Sequence, residues 1–254
     1  LVMWVAISQD KAEKASSEAE RILHDDLIQF LTPVVKAFGT DAGFDNANLG
    51  VQIYGGHGYI REHGMEQFVR DARITQIYEG TNGIQALDLV GRKMTAHYGR
   101  YMRAFFHPVQ QFIEDNAADL AMEEIVMELA KGFGRLQQAV GQIAQKGMSN
   151  PNEAGAGATD LLKLLSYVSV GFMWARMAKL AHGKLSDDQT GFYKGKIKTA
   201  KFYMHKLMPI TSSLLSSIMA GGDSIMDMED ELFDAAVAAL TTTNRWSPAL
   251  VTIR

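Results

Sequence analysis

Residues 125–143, IVMELAKGFGRLQQAVGQI, carry apolar side chains at intervals of three and four: Ile125, Leu129, Phe133, Leu136, Val140 and Ile143. This spacing places one apolar stripe along one side of an α-helix. Two more stripes follow, at Leu161, Leu165, Val168, Phe172 and Ala175 and at Tyr193, Ile197, Ala200, Met204 and Leu207. Pro209 is expected to bend or interrupt a continuation through Leu214 and Ile218. The pattern predicts an antiparallel helical bundle over residues 115–220, with no sheet of three or more strands.

The connections between these helices are predicted from turn-forming residues. Residues 148–159, MSNPNEAGAGAT, form the most turn-rich polar stretch and predict a linker. Residues 183–191 begin and end on glycine and predict a second connection.

Helical patterns also dominate the preceding part of the chain. One helix is predicted from Leu1 to about Leu23. A second is predicted to begin at Thr32-Pro33, with Thr as the N-cap, and to end at Gly55-Gly56. The side chains expected to point inward from it are Val35, Phe38, Ala42, Leu49 and Ile53. Three glycines inside it suggest close helix contacts, at Gly39, Gly43 and Gly50.

After this helix we expect an irregular loop over residues 55–64 and a short helix over residues 65–73. Another helix is expected after Thr81, with one face formed by Ile84, Leu87, Gly91 and Met94. The fold class is therefore all-α. We predict a boundary near residues 103–115 that divides the chain into two helical domains, residues 1–108 and 109–254.

Composition excludes several classes of protein. The chain has 254 residues, 47% hydrophobic and 21% charged, which are ordinary figures for one or two globular domains. It has no cysteine, which removes disulfides and thiolate chemistry. A formal net charge of -4 argues against a nucleic-acid partner. The most apolar stretch, residues 164–175, is too short to span a bilayer, which needs about 20 residues.

The first residues carry no secretion signal, because residues 1–7 lack a basic leader and a small-residue cleavage site. The chain also begins at Leu1, in the middle of a pattern, and we expect a fragment or a processed piece of a longer protein.

Charged and histidine clusters offer weak functional signals. A basic helix face carries Lys194, Lys196, Lys198, Lys201 and Lys206; it is either an anion site or, as we expect, a solvated surface. An acidic stretch contains Asp223, Asp227, Glu229, Asp230, Glu231 and Asp234, without EF-hand spacing. His57 and His63 lie six apart in a glycine-rich loop, with no partner at metal-ligand spacing. We predict no metal site.

The stretch with the strongest functional signal is residues 52–85, QIYGGHGYIREHGMEQFVRDARITQIYEGTNGIQ. Its glycine cluster at a helix end allows the backbone to approach a ligand closely. Glu79 is an isolated carboxylate just before the helix start at Thr81, where exposed N–H groups favour an anionic ligand. Taken by itself, such a glutamate is better explained as an acid that stabilises the dipole of its own helix.

This stretch as a whole closely resembles the acyl-CoA dehydrogenase family. The family's Gln-x-x-Gly-Gly-x-Gly-(Tyr/Phe) motif is matched by Gln52, Gly55, Gly56, Gly58 and Tyr59. Its second motif is matched by Arg70-Asp71-Ala72-Arg73-Ile74 and Ile77-Tyr78-Glu79-Gly80-Thr81, at the expected separation. Residues 1–103 resemble the later helices of the family's C-terminal four-helix domain. The remainder resembles the additional C-terminal helical domain of larger members, including those similar to 3-methylmercaptopropionyl-CoA dehydrogenase.

The resemblance implies a reaction and roles for three neighbouring residues. Family members oxidise the Cα–Cβ bond of an acyl-CoA thioester to a trans-2-enoyl-CoA. Glu79 matches the general base that removes the α-proton while a hydride leaves Cβ for the flavin. Its backbone N–H matches one of two donors to the thioester carbonyl, the other being a ribityl hydroxyl of the flavin. Gly80 matches a substrate-contacting position, and Tyr78 is expected to form a wall of the substrate site.

The resemblance also implies FAD as the cofactor. The stretch matching the one that contacts the ADP part of FAD, usually that of a neighbouring subunit, comprises Gln52, Ile53, Tyr54, Gly55 and Gly56. A second flavin-contacting stretch is matched by Thr81, Asn82 and Gly83, where Gly83 departs from the more usual Glu or Gln. Arg70, Asp71 and Arg73 are expected to form structural ion pairs.

Two functional hypotheses follow from this resemblance. In the first, the chain is the C-terminal part of a flavin-dependent acyl-CoA dehydrogenase that acts as a homodimer or tetramer, and the chain by itself is expected to be inactive. Its partners are then an acyl-CoA substrate and an electron-transferring flavoprotein, and it is located in a bacterial cytoplasm or an organellar matrix. In the second, the chain is a catalytically inert helical oligomerisation or binding module derived from that family.

Overall fold

The computed structural model describes residues 1–232 of the chain, and every regular element in that range is helical. The first helices are α1 (Val2–Glu13), α2 (Glu18–Tyr54), α3 (Gly56–Tyr59), α4 (Met65–Ile74), α5 (Asn82–Asp88) and α6 (Ala96–Asn116). The later ones are α7 (Glu123–Ser149), α8 (Pro151–His182), α9 (Phe192–Lys206), α10 (Ile210–Ala220) and α11 (Asp223–Met226). The all-α fold class is confirmed.

The bundle predicted in the second half is confirmed in its main features. Helices α7 and α8 pack along each other, and α9 and α10 pack against both. Nearly all the predicted stripe residues are buried on the facing sides of these helices. In the third stripe Tyr193 is half-buried, and Leu207 is 39% exposed because Met208, one position later, takes the inward place. Pro209 separates α9 from α10, as expected.

Met208 occupies a notch that two glycines leave between α7 and α8. A Cβ atom added at Gly171 would lie 2.9 Å from Met208 Sδ, and one at Gly132 would collide with the Met208 methyl group. The side chain is 1% exposed. Methionine suits this place because its unbranched thioether fills irregular gaps.

The predicted linker over residues 148–159 is wrong. The chain reverses direction at Asn150 alone, between the end of α7 and the start of α8. The Asn150 side chain accepts a hydrogen bond from the backbone N–H of Asn152 at 3.1 Å, and Pro151 occupies the first helical turn. The stretch predicted as a linker is thus an N-cap followed by a small-residue helical segment, whose Gly157 packs against Ile143.

The start of the chain also differs from the prediction, since residues 1–23 form parts of two helices. The break lies at residues 14–17, where Ser17 caps α2 by accepting the backbone N–H of Glu20 at 3.2 Å. Glu20 reaches back and accepts the backbone N–H of Ser16 at 3.1 Å. The arrangement is a variant of the capping box in which Glu20 bonds the residue before the cap, and the Ser-x-x-Glu spacing was its signal.

Helix α2 does not begin at Thr32-Pro33, so that prediction is wrong. The helix runs unbroken through Pro33, where the Thr32 hydroxyl donates to the Ile28 carbonyl at 2.7 Å. Leu31 and Val34 are fully buried on either side. Burial of this segment outweighs the missing proline N–H, which would otherwise favour a helix end.

The inward face predicted for α2 is only partly right. Val35, Phe38 and Ala42 are half-buried, whereas Leu49 and Ile53 are 56% and 83% exposed. The close contacts suggested for Gly39 and Gly43 are absent within the described residues, and at Gly50 a Cβ atom would lie 2.9 Å from the Met65 methyl carbon. The C-terminal half of α2 therefore projects beyond the core, although it ends at the glycine pair as expected.

Between α2 and α6 the chain forms short helical segments. The predicted loop over residues 55–64 contains α3 and a 3₁₀ turn, Arg61–His63, and the predicted helix over residues 65–73 is confirmed as α4. Helix α5 starts after Thr81, as expected, and passes into a π-helical turn, Leu89–Lys93. Of its predicted face, Met94 is buried, whereas Ile84 and Leu87 are exposed.

One continuous cluster of buried side chains extends from α2 to α10. Helix α6 runs through position 108, so the division into residues 1–108 and 109–254 stays a prediction. Within residues 1–232, no helix is both long enough and apolar enough to cross a bilayer.

Candidate functional site

Glu79 lies in the exposed loop between α4 and α5, in a backbone conformation that is unusual for a residue with a side chain. Its φ is +52°, and the next residue, Gly80, has φ +88°. The left-handed region costs a non-glycine residue about 1–2 kcal/mol. Surrounding contacts must therefore hold Glu79 in place, and such strain is concentrated at functional sites.

The backbone of this loop leaves hydrogen-bond donors available. Within residues 1–232, the N–H groups of Glu79 and Gly80 donate to no protein acceptor. The Gly80 carbonyl, by contrast, accepts from the mostly buried Gln85 side chain at 3.2 Å. The loop thus presents a carboxylate and free N–H groups side by side at the surface.

A small cleft of about 120 Å³ opens beside Glu79. Its lining comes from the loop and from α2: Lys36, Thr40, Thr75, Tyr78, Glu79, Gly80 and Asn82. Lys36 and Thr40 were not predicted as site residues. No local signal could have found them, because helix α2 brings them to Glu79 from a distant part of the sequence.

The predicted cofactor residues after Glu79 line one shallow cleft of about 650 Å³ beside α2: Thr81, Asn82 and Gly83. The Asn82 amide also bonds to α2, where its Nδ2 donates to the Ala37 carbonyl at 3.2 Å and its Oδ1 accepts from the Thr40 hydroxyl at 3.1 Å. Asn82 therefore attaches the loop to the helix.

The other predicted cofactor stretch, Gln52 to Gly56, lies at the far end of α2 and is exposed. Helix geometry, at about 1.5 Å per residue, puts Gln52 roughly 18 Å along the axis from Thr40. The structure thus brings Tyr78 to Gly83 together and leaves Gln52, Ile53, Tyr54, Gly55 and Gly56 apart from them.

The Gln52–Gly56 stretch fits an approach of FAD to its backbone. Cβ atoms added at Gly55 and Gly56 would meet no heavy atom within 4 Å, so the space on that side of each residue is open. Gly55 has φ +61°, which turns the chain sharply at the helix end. The exposed amide of Gln52 supplies donor and acceptor atoms beside this open backbone.

The basic helix face agrees with the solvated-surface interpretation. Lys194 and Lys198 are exposed, and Lys201 forms an ion pair with Glu124 of α7. Hydrogen bonds from Lys201, which has the larger effect, and from His205 hold the pKa of the Glu124 carboxyl below its ordinary value. The ammonium of Lys196 lies 5.6 Å from the centre of the Trp174 ring, a cation–π contact.

The remaining candidate clusters provide no three-ligand metal site in the part of the chain that the structure describes. Asp234 of the acidic stretch lies outside the described residues. The fold does bring His57 and His63 together, with Nδ1 of the first 3.2 Å from Nε2 of the second.

The structural ion pairs expected of Arg70, Asp71 and Arg73 are not formed within residues 1–232. All three side chains are exposed on α4. Asp71 accepts from the Gln67 amide at 2.7 Å, and Arg73 donates to the Gln76 side-chain oxygen at 3.1 Å. Neutral amides of the same helical region thus bond Asp71 and Arg73, which the charge pattern alone could not indicate.

Comparison with protein families gives two matches that follow each other along the chain. Residues 7–95 match the model described as acyl-CoA dehydrogenase, C-terminal domain. Residues 105–229 match the model described as acetyl-CoA dehydrogenase C-terminal like.

Similar curated proteins carry related names. The chain is 33% identical over 225 residues to 3-methylmercaptopropionyl-CoA dehydrogenase of Ruegeria pomeroyi, covering 88% of this chain and 37% of that protein. It is 30% identical over 230 residues to a butyryl-CoA dehydrogenase of Syntrophomonas wolfei, covering 89% of this chain and 38% of that protein. The chain thus spans less than two fifths of the length of these relatives.

Among solved structures, Caenorhabditis elegans ACDH-11 in complex with C11-CoA has a similar fold. The TM-score is 0.60 at 18% sequence identity, over 80% of this chain and 32% of that one. At this identity the likeness concerns the fold alone.

Proposed function

Because the chain belongs to the acyl-CoA dehydrogenase family, we propose that it supplies the catalytic base of a flavin-dependent enzyme of that kind. In this proposal Glu79 removes the α-proton of an acyl-CoA thioester, and the product is the trans-2-enoyl-CoA. The observation that carries it is the loop at Glu79: an exposed carboxylate beside backbone N–H groups that have no acceptor within residues 1–232.

The chemistry requires a base and an acceptor of negative charge close together. Removal of the α-proton places charge on the thioester oxygen, and hydrogen-bond donors aimed at that oxygen lower the barrier. The Glu79 carboxylate would take the proton, and the Glu79 N–H would donate to the oxygen. Bound FAD would supply the acceptor for the hydride that leaves Cβ.

Neighbouring residues would shape the two ligand sites. Gly80 leaves room for the thioester next to the base, and the half-exposed ring of Tyr78 would form a wall of the acyl site. Thr81 to Gly83 would contact the flavin from one side. Gln52 to Gly56, roughly 18 Å along α2 from Thr40, would contact the FAD of a neighbouring subunit in a homodimer or tetramer.

The same proposal covers the remaining partners. The reduced enzyme would pass its electrons to an electron-transferring flavoprotein. We place the enzyme in a bacterial cytoplasm or an organellar matrix, since the curated relatives named above are bacterial.

The first prediction replaces the base. Glu79→Gln in the flavin-loaded enzyme should keep FAD and acyl-CoA binding, because the amide has nearly the same shape. Removal of a general base usually lowers a rate about 10²–10⁴-fold, and we expect flavin bleaching by acyl-CoA to slow by the upper end of this range or more. Glu79→Asp should be intermediate, because its carboxylate is set back by one methylene. Anaerobic mixing with a panel of acyl-CoAs, followed by the loss of oxidised-flavin absorbance, measures this rate.

Glu62→Gln provides a matched control, since it removes an exposed carboxylate from a neighbouring turn outside the cleft. It should bleach at the wild-type rate. An undiminished rate in the Glu79→Gln enzyme would exclude Glu79 as the base. The 254-residue chain by itself is expected not to bleach. If the longer enzyme that contains it also fails to bleach with every acyl-CoA, the alternative of an inert helical binding module is favoured instead.

A further inference from the structure

Asp41 of α2 is the common acceptor for the two ends of the Glu79 loop. The Gln76 side chain, before the loop, donates its Nε2 to Asp41 Oδ1 at 2.6 Å. The Asn82 side chain, after the loop, donates its Nδ2 to the same oxygen at 2.6 Å. One carboxylate oxygen on a long helix therefore connects the residues that flank Glu79.

Other hydrogen bonds also connect the two ends of the Glu79 loop with each other and with α2. The backbone N–H of Asn82 donates to the Gln76 carbonyl at 3.4 Å, which brings the ends of the loop together. Asn82 also bonds to Ala37 and Thr40 of α2. These bonds fix Asn82 from several sides, whereas Gln76 reaches α2 through Asp41 alone within the described residues.

We propose that Asp41 is a positioning residue for Glu79: it holds both ends of the loop against α2 and so keeps the Glu79 backbone in its left-handed conformation. The proposal rests on the proposed function of Glu79 as the base. Hydrogen bonds to an ionised acceptor are roughly twice as strong as neutral ones. Without the carboxylate the loop can relax toward an ordinary backbone conformation, and the Glu79 carboxylate and N–H move away from their places together.

The size of the effect follows from the precision that proton transfer needs. A displacement of about 1 Å at a reacting group can lower a rate about 10²-fold. Asp41 lies outside the lining of the Glu79 cleft, so acyl-CoA affinity should change little. It does line the wider cleft beside Thr81 and Gly83, so each rate is compared per bound flavin. If Asp41 positions Glu79, its removal should lower the bleaching rate and leave the acyl-CoA affinity nearly unchanged. A residue that only stabilises the fold would not produce this difference.

The experiment compares Asp41→Ala, Asp41→Asn and a control in the flavin-loaded enzyme. Asp41→Ala removes the acceptor and should lower the bleaching rate per bound flavin about 10²-fold. Asp41→Asn keeps an oxygen acceptor without its charge and should restore part of that rate. Asp45→Ala removes an exposed carboxylate one turn later on α2 and should leave the rate unchanged. Equilibrium titration with acyl-CoA gives the affinity of each variant.

Hydrogen–deuterium exchange of the same proteins follows the loop directly. Peptides covering residues 75–85 should exchange faster in Asp41→Ala than in Asp45→Ala. Wild-type bleaching rates in Asp41→Ala, or an equal loss in Asp45→Ala, would overturn the role of Asp41 while leaving Glu79 as the base. If the wild-type enzyme does not bleach at all, the proposed function fails, and the catalytic role of Asp41 fails with it.

Discussion

Gly80 is the position where the loop tolerates a side chain least. Its φ of +88° disfavours any L-residue, and an added Cβ would lie 3.0 Å from Gln85 Nε2, the donor to the Gly80 carbonyl. We expect Gly80→Ala to lower the free energy of unfolding by about 1–2 kcal/mol. Thermal unfolding of the 254-residue chain measures the change.

Gly83→Ala is the matched control for this prediction. Gly83 lies in α5, where an added Cβ would approach only the Thr81 hydroxyl, at 3.9 Å. Alanine there should be neutral or stabilising, since it replaces a helical glycine. Equal destabilisation by both variants would show that the backbone conformation at Gly80 is not what limits substitution.

At the scale of single residues, the sequence predicted Tyr78, Glu79 and Gly80 together because they lie in one contiguous motif, and all three line the same small cleft. It could not identify Asp41, whose bonds to Gln76 and Asn82 depend on the packing of α2 against the loop. Nor could it give the left-handed backbone of Glu79, because glutamate has no intrinsic preference for that region. Tertiary hydrogen bonds decide both features.

Among the elements, α8 and α9 are joined by a buried tyrosine that should make stability depend on alkaline pH. Tyr203 donates its hydroxyl to the Tyr167 carbonyl at 2.9 Å, and burial raises the pKa of Tyr203 well above its ordinary value of 10.0. The folded chain thus keeps a proton that the unfolded chain releases above about pH 10. The contribution of protonated Tyr203 to the free energy of unfolding is therefore complete below that pH and is lost as the pH rises further.

Tyr203→Phe should therefore cost about 1 kcal/mol near neutral pH, through the lost hydrogen bond. It should also show a shallower loss of stability above about pH 10. Urea unfolding at a series of pH values measures both effects. Tyr98→Phe, at a 98% exposed tyrosine, should match the wild type throughout. Parallel alkaline curves for Tyr203→Phe and the wild type would contradict the prediction.

Whole helices were predicted best where one apolar stripe faces one partner, as in α7 and α8. The prediction failed where local signals competed with burial. Pro33 is a strong helix-start signal, yet it lies inside α2 because its neighbours are buried. The linker prediction after Met148 failed because alanine and glycine next to a helix cap resemble a turn in composition.

On the scale of the whole molecule, the single buried cluster should make the described chain unfold as one unit. Leu129 of α7 is fully buried, and Leu129→Ala should lower the free energy of unfolding by about 2–5 kcal/mol. Because the cluster also contains Leu31 and Val34, amide exchange in that part of α2 should accelerate as much as exchange in α8.

Hydrogen–deuterium exchange under native conditions, followed peptide by peptide, checks this expectation. Leu120→Ala, at an 86% exposed leucine, should leave exchange unchanged in both regions. Acceleration limited to α7 and α8 would show instead that the two parts matched by separate family models open independently.

Because Met208 lies in the notch beside Gly132 and Gly171, its oxidation would show that the folded chain has opened. Peroxide converts exposed methionines to sulfoxides, and Met148, at 85% exposure, is open to this reaction in the folded state. Met208 is shielded on both sides by backbone that carries no side chain, so an oxidant reaches it only when α7, α8 and α9 separate. The added polar oxygen would then have no room in the notch. A chain oxidised at Met208 has opened at least once and cannot regain its original packing until the sulfoxide is reduced.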